Sequence, residues 1–424
     1  MMTASPNDES LMAPRPHKIL NVVIVNDTCE VDGGAALVAL DDARALAAKG
    51  HRVIFFAACG KPPGDAPEIQ WISLGQSSIL HDPQRWRAAI WGLWNWKAAR
   101  ALKEVLRELP PDSTVVHLHS WSKALTGSVI AASHRAGFKI ICTLHEYFVV
   151  CPNGGLYDYP TRKACALKPM SLSCVARNCD SRARPHKIWR VLRQLIWRHC
   201  GGLPAKIDLL LTVSEFSAQK ISAQLGDRNI LVLENLPQLH QQPLCPLAER
   251  HSIVFAGRVA AEKGVDVYLA ACELADIQAE VWGDGPLLPQ LQRIWPAAKF
   301  SGWLPKAELA RRLRTATALV VPSLWYENSP LIIAEAAAAG VPVIVSDNGA
   351  AAELVSNNVS GLHFKVGDAV DLAEKMQIFA KNPALAFSIG RNVYEEFWKS
   401  YLDRRKLRQQ KLEFFYNDIL ELID

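Results

Sequence analysis

Nowhere in these 424 residues does an apolar run approach the roughly 20 needed to cross a bilayer. The longest, such as PVIVS and KIICTL, break early, so no membrane-spanning helix is expected. Residues 1–16 lack both a basic opening and an apolar core, and they read as a disordered leader rather than a secretion signal. The chain is therefore expected in the cytoplasm. No GxxxxGK[ST] occurs, and no GxGxxG is followed by an acidic partner, which argues against a P-loop site and a dinucleotide oxidoreductase. Neither sign of charge dominates, since 47 Lys and Arg face 42 Asp and Glu for a net +5. With no recognised nucleic-acid module beside that modest charge, nucleic acid is not an expected partner.

Ten cysteines in a chain without a secretion signal argue against a disulfide framework. Cys29, Cys59, Cys142, Cys200, Cys245 and Cys272 are scattered and need only be small apolar fillers. Cys151, Cys165, Cys174 and Cys179 instead share one loop-like insertion, CPNGGLYDYPTRKACALKPMSLSCVARNC. Three readings stand for these four. They are a structural zinc site stapling a loop without its own core, a redox-sensitive disulfide, or unlinked thiols.

The positive charge is uneven. RARPHKIWRVLRQLIWR (182–198) holds six Lys and Arg and no acid, while RWRAAIWGLWNWKAAR (85–100) sets four tryptophans among basic residues. Such mixtures suit a surface that meets anionic lipid, and equally suit helices whose aromatic side packs inside while the arginines are solvated. A peripheral position on the inner membrane face is the expectation that follows from the first reading.

Half of the residues are hydrophobic, enough for about two to three compact domains. Short β-branched runs alternate with longer helical patterns, the signature of parallel sheets covered by helices. In the first half the strands are ILNVVIV (19–25), VIFFAA (53–58), VVHLH (115–119), KIICTLH (139–145) and LLLTVS (209–214). In the second they are SIVFAG (252–257), AEVWG (279–283), ALVVPS (318–323) and PVIVSD (342–347). The expected fold class is α/β, two Rossmann-like doubly wound domains facing a central cleft where ligands of such sheets bind. An acceptor-binding domain is placed at 17–237 with the cysteine-bearing insertion at 151–181. A linker follows at 238–250, then a nucleotide-sugar-binding domain at 251–392 and helices at 393–424 that pack back toward the first domain.

Several residues stand where chemistry is done in such folds. In GRVAAEKGVD, Gly257 precedes Arg258 and Lys263, two cations that leave a strand end together and can clamp a diphosphate; most surface Arg and Lys, however, do nothing of the kind. In GDGP, Gly283, Asp284 and Gly285 allow a close backbone approach, with Pro286 starting a helix, although the motif alone is only a turn. ENSPLIIAE sets Glu327 and Glu335 around an apolar run, where an uncompensated charge is costly. Ser329 and Pro330 read as N-cap and first helical residue, so that Asn328, Ser329, Pro330 and Leu331 present amides and a positive dipole end to oxygen ligands. In the first half, Gly33 and Gly34 lie between a strand and a helix, and His119 and His145 end strands; glycine pairs and strand-end histidines also serve structure alone.

Taken in chain order, these pieces resemble the retaining nucleotide-sugar glycosyltransferases of glycosyltransferase family 4, with the GT-B fold. The carriers include DGGAALVALDDARALAAKGHRV, VVHLHSW, CTLHEYFVVCP, TVSEFSAQKI, FAGRVAAEKGVD, VWGDGPL, SGWLPKAEL, VPSLWYENSPLIIAEAAAAGVPVIVSDNGAAAELV and GLHFKVGD, from about Lys18 to the C-terminal helix. The resemblance implies that Arg258 and Lys263 neutralise the donor diphosphate. It further implies that Glu335 holds the ribose hydroxyls, that Glu327 faces the donor sugar, and that the amides around Asn328 to Leu331 complete that pocket. Gly33 and Gly34 correspond to the glycine loop near acceptor and phosphates, and His119 or His145 to the contact with the transferred sugar. Metal-independent catalysis is implied, with no cofactor required and same-face attack as the working mechanism. Many members carry Gly-Phe-Gly after the first glutamate where this chain has Asn328-Ser329-Pro330, which puts the detail of donor-sugar contact in question.

The expected partners are a nucleotide-diphosphate sugar and a glycan or lipid-linked glycan acceptor in envelope or exopolysaccharide synthesis. Two rivals remain at this stage, a sugar-nucleotide epimerase of the same fold and a non-catalytic nucleotide-sugar-binding subunit.

Overall fold

The computed structural model describes residues 18–31, 33–226 and 228–421, and the expected leader lies outside them. The chain divides into two compact units. One comprises Met1–Thr143, Ile196–Leu211 and Lys406–Asp424; the other comprises Leu144–Leu195 and Thr212–Arg405.

The first sheet is built on β1 (Asn21–Thr28), β2 (Arg52–Cys59), β3 (Gln70–Ser73), β4 (Thr114–Leu118) and β5 (Lys139–Leu144). A short hairpin, β6 (Tyr157–Asp158) and β7 (Lys163–Ala164), interrupts before β8 (Leu209–Thr212) and β9 (Ile230–Val232). The sheet order is β3-β2-β1-β4-β5-β8-β9, with β1 parallel to both β2 and β4. Val22, Val23, Ile24 and Val25 are wholly buried, which is why β1 reads as a continuous apolar run rather than an alternating one.

The second sheet contains β10 (Ser252–Ala256), β11 (Glu280–Trp282), β12 (Lys299–Phe300), β13 (Ala316–Val321), β14 (Val343–Ser346) and β15 (Gly361–Phe364). Its order is β12-β11-β10-β13-β14-β15. All five of its strand pairings are parallel. In both sheets the first strand in sequence is flanked by its second and a later strand, so the direction of winding reverses there. The loops leaving those strands spread apart and make the crevice in which such sheets bind ligands.

The strands expected from sequence are all present, with ends shifted by a few residues. β3, β6, β7, β9, β12 and β15 were not anticipated; each has only two to four residues, too short for periodicity to show. Two helix starts differ from expectation. Pro330 caps the helix Leu331–Ala339 in an extended conformation without a side-chain bond, so Ser329 lies one residue outside the cap. The helix after GDGP begins at Leu288 with Leu287 as its cap, leaving Pro286 in the turn.

The insertion 151–181 groups with the second unit rather than the first. Tyr157 is buried within the apolar cluster of Val259, Val265 and Tyr268, and Arg162 Nη2 donates to Asp266 Oδ1 at 2.7 Å. At the other end, one helix runs Pro383–Glu421, and its final segment from Lys406 belongs to the first unit. There Arg408 forms an ion pair with Asp42, and the Tyr416 hydroxyl lies 2.7 Å from His117 Nδ1.

Candidate functional site

In the second unit, β10 ends at Ala256 and the chain turns through Gly257, Arg258 and a short turn, Ala261–Lys263. Its neighbour β13 ends at Val321 and leads through Ser323 and Glu327 to the helix Leu331–Ala339. These two loops leave the reversal point of the sheet, and they meet through one ion pair. Lys263 Nζ lies 2.6 Å from Glu327 Oε1, and the Ser323 hydroxyl donates to the same oxygen at 2.5 Å.

Glu327 is 5% exposed. Burial alone would raise its pKa, but the charge and hydrogen bond of Lys263, joined by Ser323, outweigh that and hold it below the ordinary value. A buried carboxylate is thus kept ionised by one cation and one hydroxyl. Arg258 is more exposed, with its guanidinium bonded to the buried Glu262.

Glu335 behaves differently. It is half-buried on its helix, and burial raises its pKa, with Lys306 as the opposing charge. No hydrogen bond or ion pair to its carboxylate is formed among the described residues, so its charge is available to hydroxyl donors from outside the chain.

Asn328 is buried and donates from Nδ2 to the His145 carbonyl at 2.8 Å, while its Oδ1 has no bonded partner among the described residues. This bond ties the backbone at the end of β5 to the loop after β13. It brings close a residue that the sequence reading passed over. Tyr147 is buried, its hydroxyl is unbonded among the described residues, and its pKa is pushed up first by burial and then by the charge of Glu327. Tyr147 was inside the quoted HEYFVVCP, but nothing in spacing marks one tyrosine as facing a carboxylate distant in sequence. Ser323 was missed although it lies only four residues from Glu327, because nothing in the loop sequence marks its hydroxyl as turned back on that carboxylate.

Gly283 and Gly285 answer to backbone packing, while a Cβ on Gly257 would meet only the Phe255 ring, at 3.6 Å. A Cβ on Gly283 would sit 1.8 Å from the Gly257 carbonyl oxygen, and one on Gly285 would sit 2.4 Å from that of Val259. Asp284 stays exposed and accepts from the Gly285 amide at 2.6 Å.

In the first unit, Gly33 caps the helix Gly34–Ala48 just after β1. Its backbone is fully extended, and a Cβ there would meet nothing within 4 Å. His119 follows β4, with its amide bonded to the Val25 carbonyl at 2.9 Å. Its ring is buried, lies 4.2 Å from that of His117, and places Nε2 3.9 Å from Asp42. Asp27, also unanticipated, is buried and accepts from the amides of Lys123, Ala124 and Leu125, fixing the loop that follows β4.

The four insertion cysteines do not present a metal-ligand set. All are free thiols, and no group of three or more His, Cys, Asp or Glu among the described residues is arranged to hold a metal ion. Beside Cys174 and Cys179 stands an ammonium, that of Lys187.

Two family models match the chain in succession. Residues 32–235 match the model for Glycosyltransferase Family 4, and residues 245–396 match that for Glycosyl transferases group 1. Together they account for most of the chain. The chain belongs to glycosyltransferase family 4. Among its relatives is the GDP-mannose-dependent alpha-mannosyltransferase of Corynebacterium glutamicum, 35% identical over 136 residues, a match spanning 32% of each chain. Glycogen synthase of Mycobacterium tuberculosis is 25% identical over 371 residues, 81% of each chain. Solved structures share the GT-B fold at low identity. Anabaena Alr3699/HepE in complex with UDP gives a TM-score of 0.59 at 16% identity, covering 93% of this chain and 99% of that one. Sucrose-phosphate synthase from Thermosynechococcus elongatus gives 0.65 at 18%, with the same coverage. The two family models meet across residues 236–244, whereas the compact units of the fold exchange segments across that point, 144–195 and 212–235 joining the second and the end of the C-terminal helix the first.

Proposed function

We propose that this chain moves a hexose from a nucleotide-diphosphate sugar to a glycan or lipid-linked glycan acceptor, with retention at the anomeric carbon and without a metal ion. The observation that carries this reading is the Lys263–Glu327 pair, a buried carboxylate held ionised where the second sheet reverses. An ammonium has three N–H donors. Lys263 can therefore keep Glu327 with one and offer the others, beside Arg258, to the donor phosphates.

The negative charge that gathers on the departing diphosphate as the glycosidic bond breaks is the charge these cations stabilise. Glu327 Oε2 accepts from a sugar hydroxyl, and Glu335 accepts from the ribose hydroxyls. The acceptor hydroxyl attacks from the face the leaving phosphate departs, and a phosphate oxygen takes its proton. Two relatives support a nucleotide-sugar donor by what they are named for, GDP-mannose in one and UDP in the other.

The lipid-linked acceptor is supported by the aromatic surface of the first unit. Trp86, Trp91 and Trp96 are 68%, 37% and 61% exposed, on helices rich in arginine and lysine. Trp197 is instead fully buried, so the second basic stretch only partly fits a membrane-facing surface. No helix among the described residues is long and apolar enough to cross a membrane.

A thermal-shift screen of UDP, GDP, ADP and their sugars tests the donor, since a ligand of the folded state raises Tm. Transfer is then measured with EDTA present, and the product anomer is read by NMR. Arg258→Ala and, separately, Glu327→Ala should each lower kcat/KM at least about 100-fold. Near-normal rates in both variants overturn the site assignment, and a new sugar nucleotide formed without acceptor overturns transfer in favour of epimerisation.

A further inference from the structure

The helix Arg184–His199 turns much of its polarity inward. Lys187, Arg193 and Gln194 are buried, although such side chains are rarely buried without partners. Their partners belong to the cysteine-bearing insertion and the turn just before it. Gln194 Nε2 donates to the Phe148 carbonyl at 3.1 Å, Arg193 Nη2 to that of Pro152 at 3.2 Å, and Arg190 Nη1 to that of Asn153 at 3.3 Å. Lys187 Nζ lies 3.3 Å from Cys179 Sγ, and Arg190 pairs with the buried Asp180 at 2.6 Å. Backbone carbonyls of an irregular loop need donors, and the polar side of this helix supplies them.

The aliphatic side is thereby left outside. Ile188, Leu192 and Leu195 are 62%, 46% and 41% exposed, and spacings of four and three align them in one stripe. The one-turn helix Leu172–Ala176 is held against this helix through Lys187 and Cys174, 3.8 Å apart, and it adds Leu172 at 91% and Val175 at 42% exposed. Single exposed aliphatic residues are ordinary, whereas rows of them on two adjoining elements mark a surface that is covered in use. The surrounding charge points to what covers it. From Arg162 to Arg198 the only acid is Asp180, which is buried, while Lys163, Lys168 and Arg184 are exposed. A second copy of this chain would set cations against cations, because a two-fold interface repeats the same patch on both sides. An anionic bilayer surface offers apolar depth and counter-charge together.

We propose that the Ile188–Leu192–Leu195 stripe, with Leu172 and Val175, is a membrane-docking face. Its aliphatic side chains enter the boundary between headgroups and acyl chains, and the flanking cations lie among lipid phosphates. This face extends the lipid-linked acceptor reading, and rests on it for the expectation that transfer takes place at a bilayer. It is formed by residues other than the exposed tryptophans of the first unit.

The test is co-sedimentation of the full chain with vesicles, one set of mixed phosphatidylglycerol and phosphatidylcholine and one of phosphatidylcholine alone, with no donor or acceptor present. The chain is expected to favour the mixed vesicles. Leu172→Asp combined with Leu192→Asp should weaken that binding about 10-fold or more and leave Tm within about 2 °C, since both side chains are exposed. Lys163→Glu combined with Lys168→Glu leaves the stripe intact, and should weaken binding several-fold at low salt and little at high salt. That second variant decides the matter should the first not fold. Equal binding to phosphatidylcholine alone, or either variant binding mixed vesicles at low salt as the unaltered chain does, would overturn the proposal. So would a dimer in lipid-free solution that the leucine variant converts to monomer, which would assign the stripe to a second copy. Because no donor is present, failure here leaves sugar transfer standing, and normal transfer by the Arg258 and Glu327 variants leaves the docking face standing.

Discussion

Glu335 carries a charge on a helix face with Lys306 as its opposing charge, and burial has raised its pKa. Its ionisation therefore opposes folding. The cost is absent at low pH, sets in as pH rises through the unfolded value near 4.5 and then the raised folded one, and is in full force at neutral pH. Glu335→Gln should raise Tm at pH 7.5 by about 2 °C and leave it unchanged at pH 4. The same substitution should weaken nucleotide binding about 10-fold, because a charged acceptor for two hydroxyls is lost. Thermal unfolding at both pH values with a binding titration checks this, and loss of stability at pH 7.5 would mean that an unseen partner holds the charge. Glu327 has the opposite sign. Its depressed pKa adds stability above the unfolded value, and that stability is lost as pH falls through the folded one.

The glycines separate into two kinds once their surroundings are known. Gly283 is pressed against the Gly257 carbonyl, so Gly283→Ala should cost about 2 kcal/mol or more by forcing two backbone segments apart. Gly33 has extended backbone and open space around its Cβ position. Gly33→Ala should therefore shift stability by less than about 0.5 kcal/mol, and a fall in transfer of about 10-fold or more would assign the open space to a ligand. Chemical denaturation and steady-state rates on the two variants distinguish these roles. Sequence spacing marked both glycines as sites of close approach. It could not say whether backbone or ligand does the approaching, because that depends on a strand and a loop far apart in the chain.

Across the whole molecule, distant segments complete each unit. Arg408 is needed by Asp42, which is 1% exposed on the helix Gly34–Ala48. Arg408→Leu should cost about 3–5 kcal/mol, the penalty of an uncompensated buried carboxylate, and adding Asp42→Asn should recover part of it. Denaturant midpoints of the single and double variants measure both effects. Replacing Trp86, Trp91 and Trp96 together with alanine should leave Tm within about 2 °C, since exposed residues support little packing, while reducing association with anionic liposomes several-fold. Unchanged liposome binding would remove the support for a lipid-linked acceptor.

The alternation of β-branched and helical runs was enough to determine parallel α/β sheets, and the charged motifs placed just after strands were enough to nominate Arg258, Lys263, Glu327 and Glu335, because both signals are local in the chain. Only the folded structure paired Lys263 with Glu327, brought Tyr147 and Ser323 to that carboxylate, gave the insertion to the second unit, and set Lys187 among the cysteines. Lys263 with Glu327 and Tyr147 with Glu327 join residues well separated in sequence, while Ser323 lies four residues from Glu327 and Lys187 eight from Cys179; in all of them burial and charge pairing are fixed by packing, which periodicity and spacing do not encode.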